Sequence, residues 1–140
     1  MKTIYLIGSL RNESIPHIAN TLEDIGFEVF DSWFSPGPNA DSHWKDYEQA
    51  RGRDYKEALS GHAATHIFEF DKYHIDRCDI GLLVMPAGRS GHLELGYMIG
   101  GGKPGYILFE EETDRWDIMS KFATDVFFDV NDLKAKLSTI

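Results

Sequence analysis

The sequence predicts an α/β domain built on a doubly wound parallel sheet of five strands. Three observations lead there. Short apolar runs alternate along the chain with stretches whose apolar residues recur at helical spacing. The run Ile80 to Met85 is almost continuously apolar, the pattern of a parallel strand covered on both faces. The chain's 140 residues, 42% hydrophobic and 26% charged, suit one domain with a single core, expected to span 1–140.

Lys2 to Ile7 carries Ile4, Tyr5, Leu6 and Ile7 and reads as a buried first strand. Gly8-Ser9-Leu10-Arg11-Asn12 follows as a loop. A helix starts near Ser14, with Pro16 in its first turn, where a missing N–H does no harm. Ile18, Ala19, Leu22 and Ile25 form its apolar face, and Gly26 closes it before a second strand, Phe27 to Phe30. Residues 31–45 hold two prolines, a glycine and two tryptophans and read as a long loop. Trp33, Phe34 and Trp44 could stack on a flat ligand ring or fold the loop onto the core. A helix is expected over Asp46 to Leu59, tolerating Gly52; residues 61–70 are ambiguous; Asp71 to Arg77 reads as a short helix.

The third strand, Ile80 to Met85, ends at Pro86, Gly88 and Gly91. Ser90 is the expected N-cap of a helix through Leu93, Leu95, Tyr97, Met98 and Ile99, apolar nearly all round and so expected inside. Glu94 falls in its expected first turn, where backbone N–H groups favour an ionised carboxylate. Gly100 to Gly102 end that helix. A fourth strand (Gly105 to Phe109), a helix (Thr113 to Ala123, with Trp116, Met119 and Phe122 on one face) and a fifth strand (Val126 to Val130) follow. Asn131 is the expected cap of a short last helix. This alternation is that of a flavodoxin- or Rossmann-like sheet.

Composition narrows the functions. No apolar run of about 18 residues is present, so no membrane span is expected. Met1 to Arg11 reads as a first strand and not as a signal peptide. A single cysteine, Cys78, excludes an intrachain disulfide, and a cytoplasmic location is the simplest expectation. A net charge of −9 argues against a general grip on a nucleic acid polymer, while leaving room for a small anion held by a local arginine. Gly100 to Gly102 follow a helix instead of preceding one, so they are no phosphate cradle. His62 and His66 stand four residues apart without a third ligand, so neither a metal nor another cofactor is expected.

Four positions could carry chemistry. Ser9 and Arg11 follow the first strand, Asp71 precedes the third and Glu94 follows it. In a doubly wound sheet these segments converge on one rim. A serine hydroxyl and an arginine fork there suit a phosphate or carboxylate. Two carboxylates across a pocket suit a nucleophile and an acid/base. The alternative is that Asp71 and Ser90 are helix caps and Arg11 a surface charge.

Three blocks in order carry a resemblance: I-Y-L-I-G-S-L-R-N at Ile4 to Asn12, F-D-K-Y-H-I-D-R-C-D-I at Phe70 to Ile80, and H-L-E-L-G-Y-M-I-G-G-G-K-P at His92 to Pro104. Together they resemble the nucleoside 2-deoxyribosyltransferase superfamily. The resemblance implies that Glu94 is the nucleophile on the anomeric carbon, Asp71 the acid assisting the departing base, and Tyr5 the tyrosine beside the nucleophile. One branch hydrolyses deoxynucleoside 5′-monophosphates and opens with a G-S-x-R motif, as Gly8-Ser9-Leu10-Arg11 does. By that likeness Gly8, Ser9, Arg11 and Ser90 would hold the 5′-phosphate. Trp33 is a further candidate for substrate contact. The resemblance also implies a homodimer or higher homo-oligomer in which a neighbour lends a side chain, Asp117 or Ser120 by position. The turn A-G-R-S-G-H-L before Glu94 is shorter than in the hydrolases, and Gly88 and Arg89 stand where transferases often carry an aspartate.

The leading expectation is thus N-glycosidic cleavage of a nucleoside 5′-monophosphate through a glycosyl ester on Glu94. Base exchange on free nucleosides is the second, and a nucleotide sensor without turnover the third.

Overall fold

A computed structural model describes residues 1–140. Its centre is one parallel sheet in the order β2-β1-β3-β4-β5, made of β1 (Thr3–Ile7), β2 (Glu28–Phe30), β3 (Ile80–Met85), β4 (Gly105–Phe109) and β5 (Asp125–Phe127). Six helices accompany it: α1 (Ile15–Asp24), α2 (Ala40–Ala50), α3 (Tyr55–Leu59), α4 (His62–Arg77), α5 (Arg89–Gly100) and α6 (Val130–Leu137).

Strand alternation sorts the core onto two faces. Ile4 and Leu6 of β1 join Ile15, Ile18 and Leu22 of α1 and Leu133 and Leu137 of α6. Tyr5 and Ile7 join Ile75 of α4 and Leu95 and Met98 of α5 on the other face. All five residues of β1 are buried, as coverage on both faces requires. The chain leaves β1 for β2 on one side and returns past it to β3, so the crevice opens between the carboxyl ends of β1 and β3.

Several local expectations are corrected. The long loop shrinks: Ser32–Phe34 forms a 3₁₀ turn and α2 already starts at Ala40. The expected helix over Asp46 to Leu59 is two, because Gly52 turns with φ +77° and Asp54 restarts the helix through a capping box with Glu57. Residues 62–77 form one helix of 16 residues, α4, with Gly61 as its N-cap. Its periodicity is obscured because Ile67, Phe68 and Phe70 stay exposed. The expected helix from Thr113 is only a 3₁₀ turn, Ile118–Phe122, and Trp116, Met119 and Phe122 point outward. The fifth strand ends at Phe127, since Asp129 caps α6 by accepting from the Asn131 N–H. No helix is long and apolar enough to cross a membrane.

Candidate active site

Tyr5 is the middle residue of β1 and sits opposite Gly81 of β3 and Phe30 of β2. With no side chain at Gly81, the space beside Tyr5 is filled from above by α5. A Cβ at Gly81 would lie 2.9 Å from Met98 Sδ, and one at Gly105 would lie 2.7 Å from Ile99 Cγ1 and 2.8 Å from Leu95 Cδ1. These bare positions let α5 settle close to the sheet, and Glu94 descends with it.

Glu94 is not in the first turn of its helix. α5 is capped at Gly88 and begins at Arg89, so Ser90 is its second residue and not its cap, and Glu94 is its sixth. The early start follows from extended backbone at Gly88 and from His92, whose Nδ1 lies 2.7 Å from the Gly88 carbonyl oxygen. The helix-end effect fades beyond the first turn. Burial therefore dominates and pushes the Glu94 carboxyl up to about 7; the Tyr5 hydroxyl opposes that rise and Asp71 adds to it. Nor is α5 buried all round: Gly91, Leu95 and Met98 face the sheet, while Leu93 and Tyr97 are exposed.

Asp71 lies in the interior of α4, so it is neither a cap nor in a loop. It stands one turn before Ile75, the helix's one buried residue, and therefore on the sheet-facing side. Burial raises its carboxyl above the usual carboxylate range. The Tyr5 hydroxyl is raised by burial first, then by Glu94 and Asp71. A tyrosine from the sheet and one acid from each of two neighbouring helices thus share one partly dry space. Two acids held this way titrate as a pair.

Aromatic rings wall this space. Phe30 stacks on Tyr5 with centroids 5.3 Å apart, His74 stacks on Phe30 at 4.0 Å, and Phe70 meets His74 edge-on at 4.6 Å. Sequence reasoning missed this wall. Phe70 and His74 share a face of α4, and that spacing is legible only once residues 62–77 are recognised as a single helix.

The remaining candidates sit apart from the acids. Gly8 packs under α1, where a Cβ would meet Ile15 Cδ1 at 2.7 Å. Ser9 Oγ accepts from the Arg11 N–H at 3.1 Å. Both line a cavity of about 510 Å³ with Asn12, Ser14, Pro86, Glu110 and Glu111. Glu110 is engaged by Ser14 Oγ at 2.6 Å and Asn12 Nδ2 at 3.3 Å, while the Arg11 guanidinium makes no ion pair. Ser90 is exposed and lines neither this cavity nor the larger one below. Trp33 donates from Nε1 to the Leu6 carbonyl at 2.7 Å and packs against both core clusters, so its indole N–H is not free for a ligand. Asp117 caps the 3₁₀ turn by accepting from Met119 N–H. With Ser120 it lines a second, apolar groove of about 800 Å³ between α5 and the segment before β5. No three His, Cys, Asp or Glu side chains converge as a cation site.

No protein-family model matches the chain, and no curated protein matches it. Two solved structures are similar over nearly its whole length. One is the 2-deoxyribosyltransferase of the psychrotolerant bacterium Bacillus psychrosaccharolyticus, 20% identical, with a TM-score of 0.63 over 94% of this chain and 90% of that one. The other is the Clostridium botulinum CMP N-glycosidase BcmB, 15% identical, with a TM-score of 0.59 over 97% of this chain and 98% of that one. At such identities the likeness shows the fold.

Proposed function

We propose that the protein cleaves the N-glycosidic bond of a nucleoside 5′-monophosphate and releases the free base. The observation that carries this reading is the pairing of Glu94 and Asp71 on facing helices above Tyr5, with both carboxyls raised by burial. In its ionised form a Glu94 oxygen attacks C1′ and forms a glycosyl ester. The C1′–N bond breaks, its electron pair leaves with the base, and protonated Asp71 supplies the base's proton. Water then attacks C1′, returns a proton to Asp71 and frees Glu94. Tyr5 holds the Glu94 carboxylate in line. The Arg11 guanidinium, free of any ion pair, and the Ser9 hydroxyl, which accepts from the Arg11 N–H and keeps its own hydrogen to donate, receive the 5′-phosphate.

A second reading, base exchange on free nucleosides, is favoured by one observation: Glu110 and Glu111 line the same cavity as Arg11 and repel a dianion. In that reaction an incoming base replaces water in the second half. Incubation with dAMP, dGMP, dCMP and dUMP, with and without added base, separates the readings. Free base from monophosphates supports hydrolysis, and exchanged base supports transfer. Binding without either product makes the protein a sensor and overturns both. The reading includes a homo-oligomer in which a second copy covers the apolar groove and brings Asp117 or Ser120 toward a neighbour's site.

A further inference from the structure

Two residues of the third sequence block, Tyr97 and Lys103, have no part in the chemistry above, yet both reach across to α4. The Tyr97 hydroxyl donates to Asp76 Oδ1 at 2.6 Å. Lys72 Nζ closes on Asp76 Oδ2 at 2.7 Å and lies over the Tyr97 ring. Lys103 Nζ donates to the carbonyls of Ile75 at 2.9 Å and Asp76 at 2.6 Å in the last turn of α4, where the Ile75 carbonyl also accepts from the Cys78 N–H at 3.3 Å.

These contacts matter because apolar packing holds α4 so weakly. Of its 16 residues only Ile75 is buried, whereas α5 is seated on the sheet by Gly91, Leu95 and Met98. Phe70 and His74 lean on Phe30 of β2 and Arg77 pairs with Glu28, so the side of α4 toward α5 is left to the polar contacts. Asp71 stands five residues before Asp76, about 7.5 Å along the helix axis. A tilt of about 8° about the helix end moves a group at that distance by about 1 Å. Misplacement on that scale lowers rates by up to about a hundredfold.

Building on the proposed cleavage, we propose that Tyr97, Asp76 and Lys103 form a brace between α5 and α4 that sets the separation of Glu94 and Asp71. They are positioning residues, acting through the acids without touching substrate. All three sit at or near the surface, so a surface network of this kind adds little to stability, and its effect should be read in catalysis.

Tyr97→Phe tests the brace by removing one oxygen, with Lys103→Met as the second variant. On a substrate whose base needs a proton to leave, Tyr97→Phe is expected to lower kcat about ten- to a hundredfold. On a 7-methylpurine nucleotide, whose cationic base leaves without a proton, the loss should stay within about threefold. In an Asp71→Asn background Tyr97→Phe should add nothing. Equal losses on both substrates, additive with Asp71→Asn, overturn the brace. A readout without turnover separates this from failure of the proposed function: carboxyl NMR titration of Glu94. The groups facing Glu94 are Tyr5 from β1 and Asp71 from α4. Freeing α4 lets the acids part, so the Glu94 midpoint should fall in Tyr97→Phe and in Lys103→Met. A midpoint unchanged in both variants sinks the inference even if the enzyme is active. A fall in an inactive wild type would support the brace and leave only the proposed reaction overturned.

Discussion

Glu94 sets two opposed demands on one side chain. Its folded midpoint of about 7 exceeds its ordinary 4.5, so the native state binds the proton more tightly than the unfolded chain. Stability from this group is complete below the ordinary value and falls as pH rises through about 7. The shift corresponds to roughly 3 kcal/mol lost by pH 8. Glu94→Gln should therefore raise Tm by several degrees at pH 8 and leave it unchanged at pH 4, by thermal melts at both. The same variant should lower kcat by several orders of magnitude, since an amide forms no glycosyl ester. Wild-type kcat/KM should climb with pH toward 7 as the nucleophile ionises. Arg11 decides the substrate. Its guanidinium is unpaired beside Ser9, so Arg11→Ala should raise KM for a monophosphate about ten- to a hundredfold, the size of a lost charge-assisted bond. KM for the matching nucleoside should not change, and an equal response of both puts base exchange first.

At the scale of elements, the seating of α5 decides where Glu94 stands. Gly105 lies beneath Leu95 and Ile99, with a hypothetical Cβ less than 3 Å from both. Gly105→Ala should lift this helix, destabilise the fold by about 1–3 kcal/mol as overpacking does, and lower kcat with little change in KM. A variant with reduced Tm and intact kcat would show that α5 adjusts without moving its acid. Neither consequence is legible in the sequence. Gly81 and Gly105 look there like ordinary residues of apolar strands, and only the layering of α5 on β3 and β4 gives their bareness a purpose.

The whole molecule presents an apolar surface that one chain leaves uncovered. Trp116 is 86% and Phe122 72% exposed, beside a groove that also holds Ile99, Phe109 and Phe128. Exposed patches of this kind mark interaction sites, and in the proposed reading a second copy of the chain occupies it. Sedimentation velocity at micromolar concentration should show a dimer or larger species for the wild type and a monomer for Phe122→Asp. A monomeric wild type removes the shared site.

What the sequence determined by itself is the succession of the five strands and the candidacy of Glu94, Asp71 and Tyr5 for the site. Apolar runs and helical spacing follow from local burial, and the three ordered blocks are local strings. Tertiary structure alone decided the rest. That Glu94 lies past the first turn of its helix depends on where Gly88 lets α5 begin. That Asp71 sits inside a long helix, and not at its start, was hidden because the first half of α4 packs on little and shows no apolar period. The raised carboxyl of Glu94, the wall of Phe30, His74 and Phe70, and the brace from Tyr97 and Lys103 all join residues distant along the chain. Burial and charge pairing are properties of space, and a sequence records only neighbours.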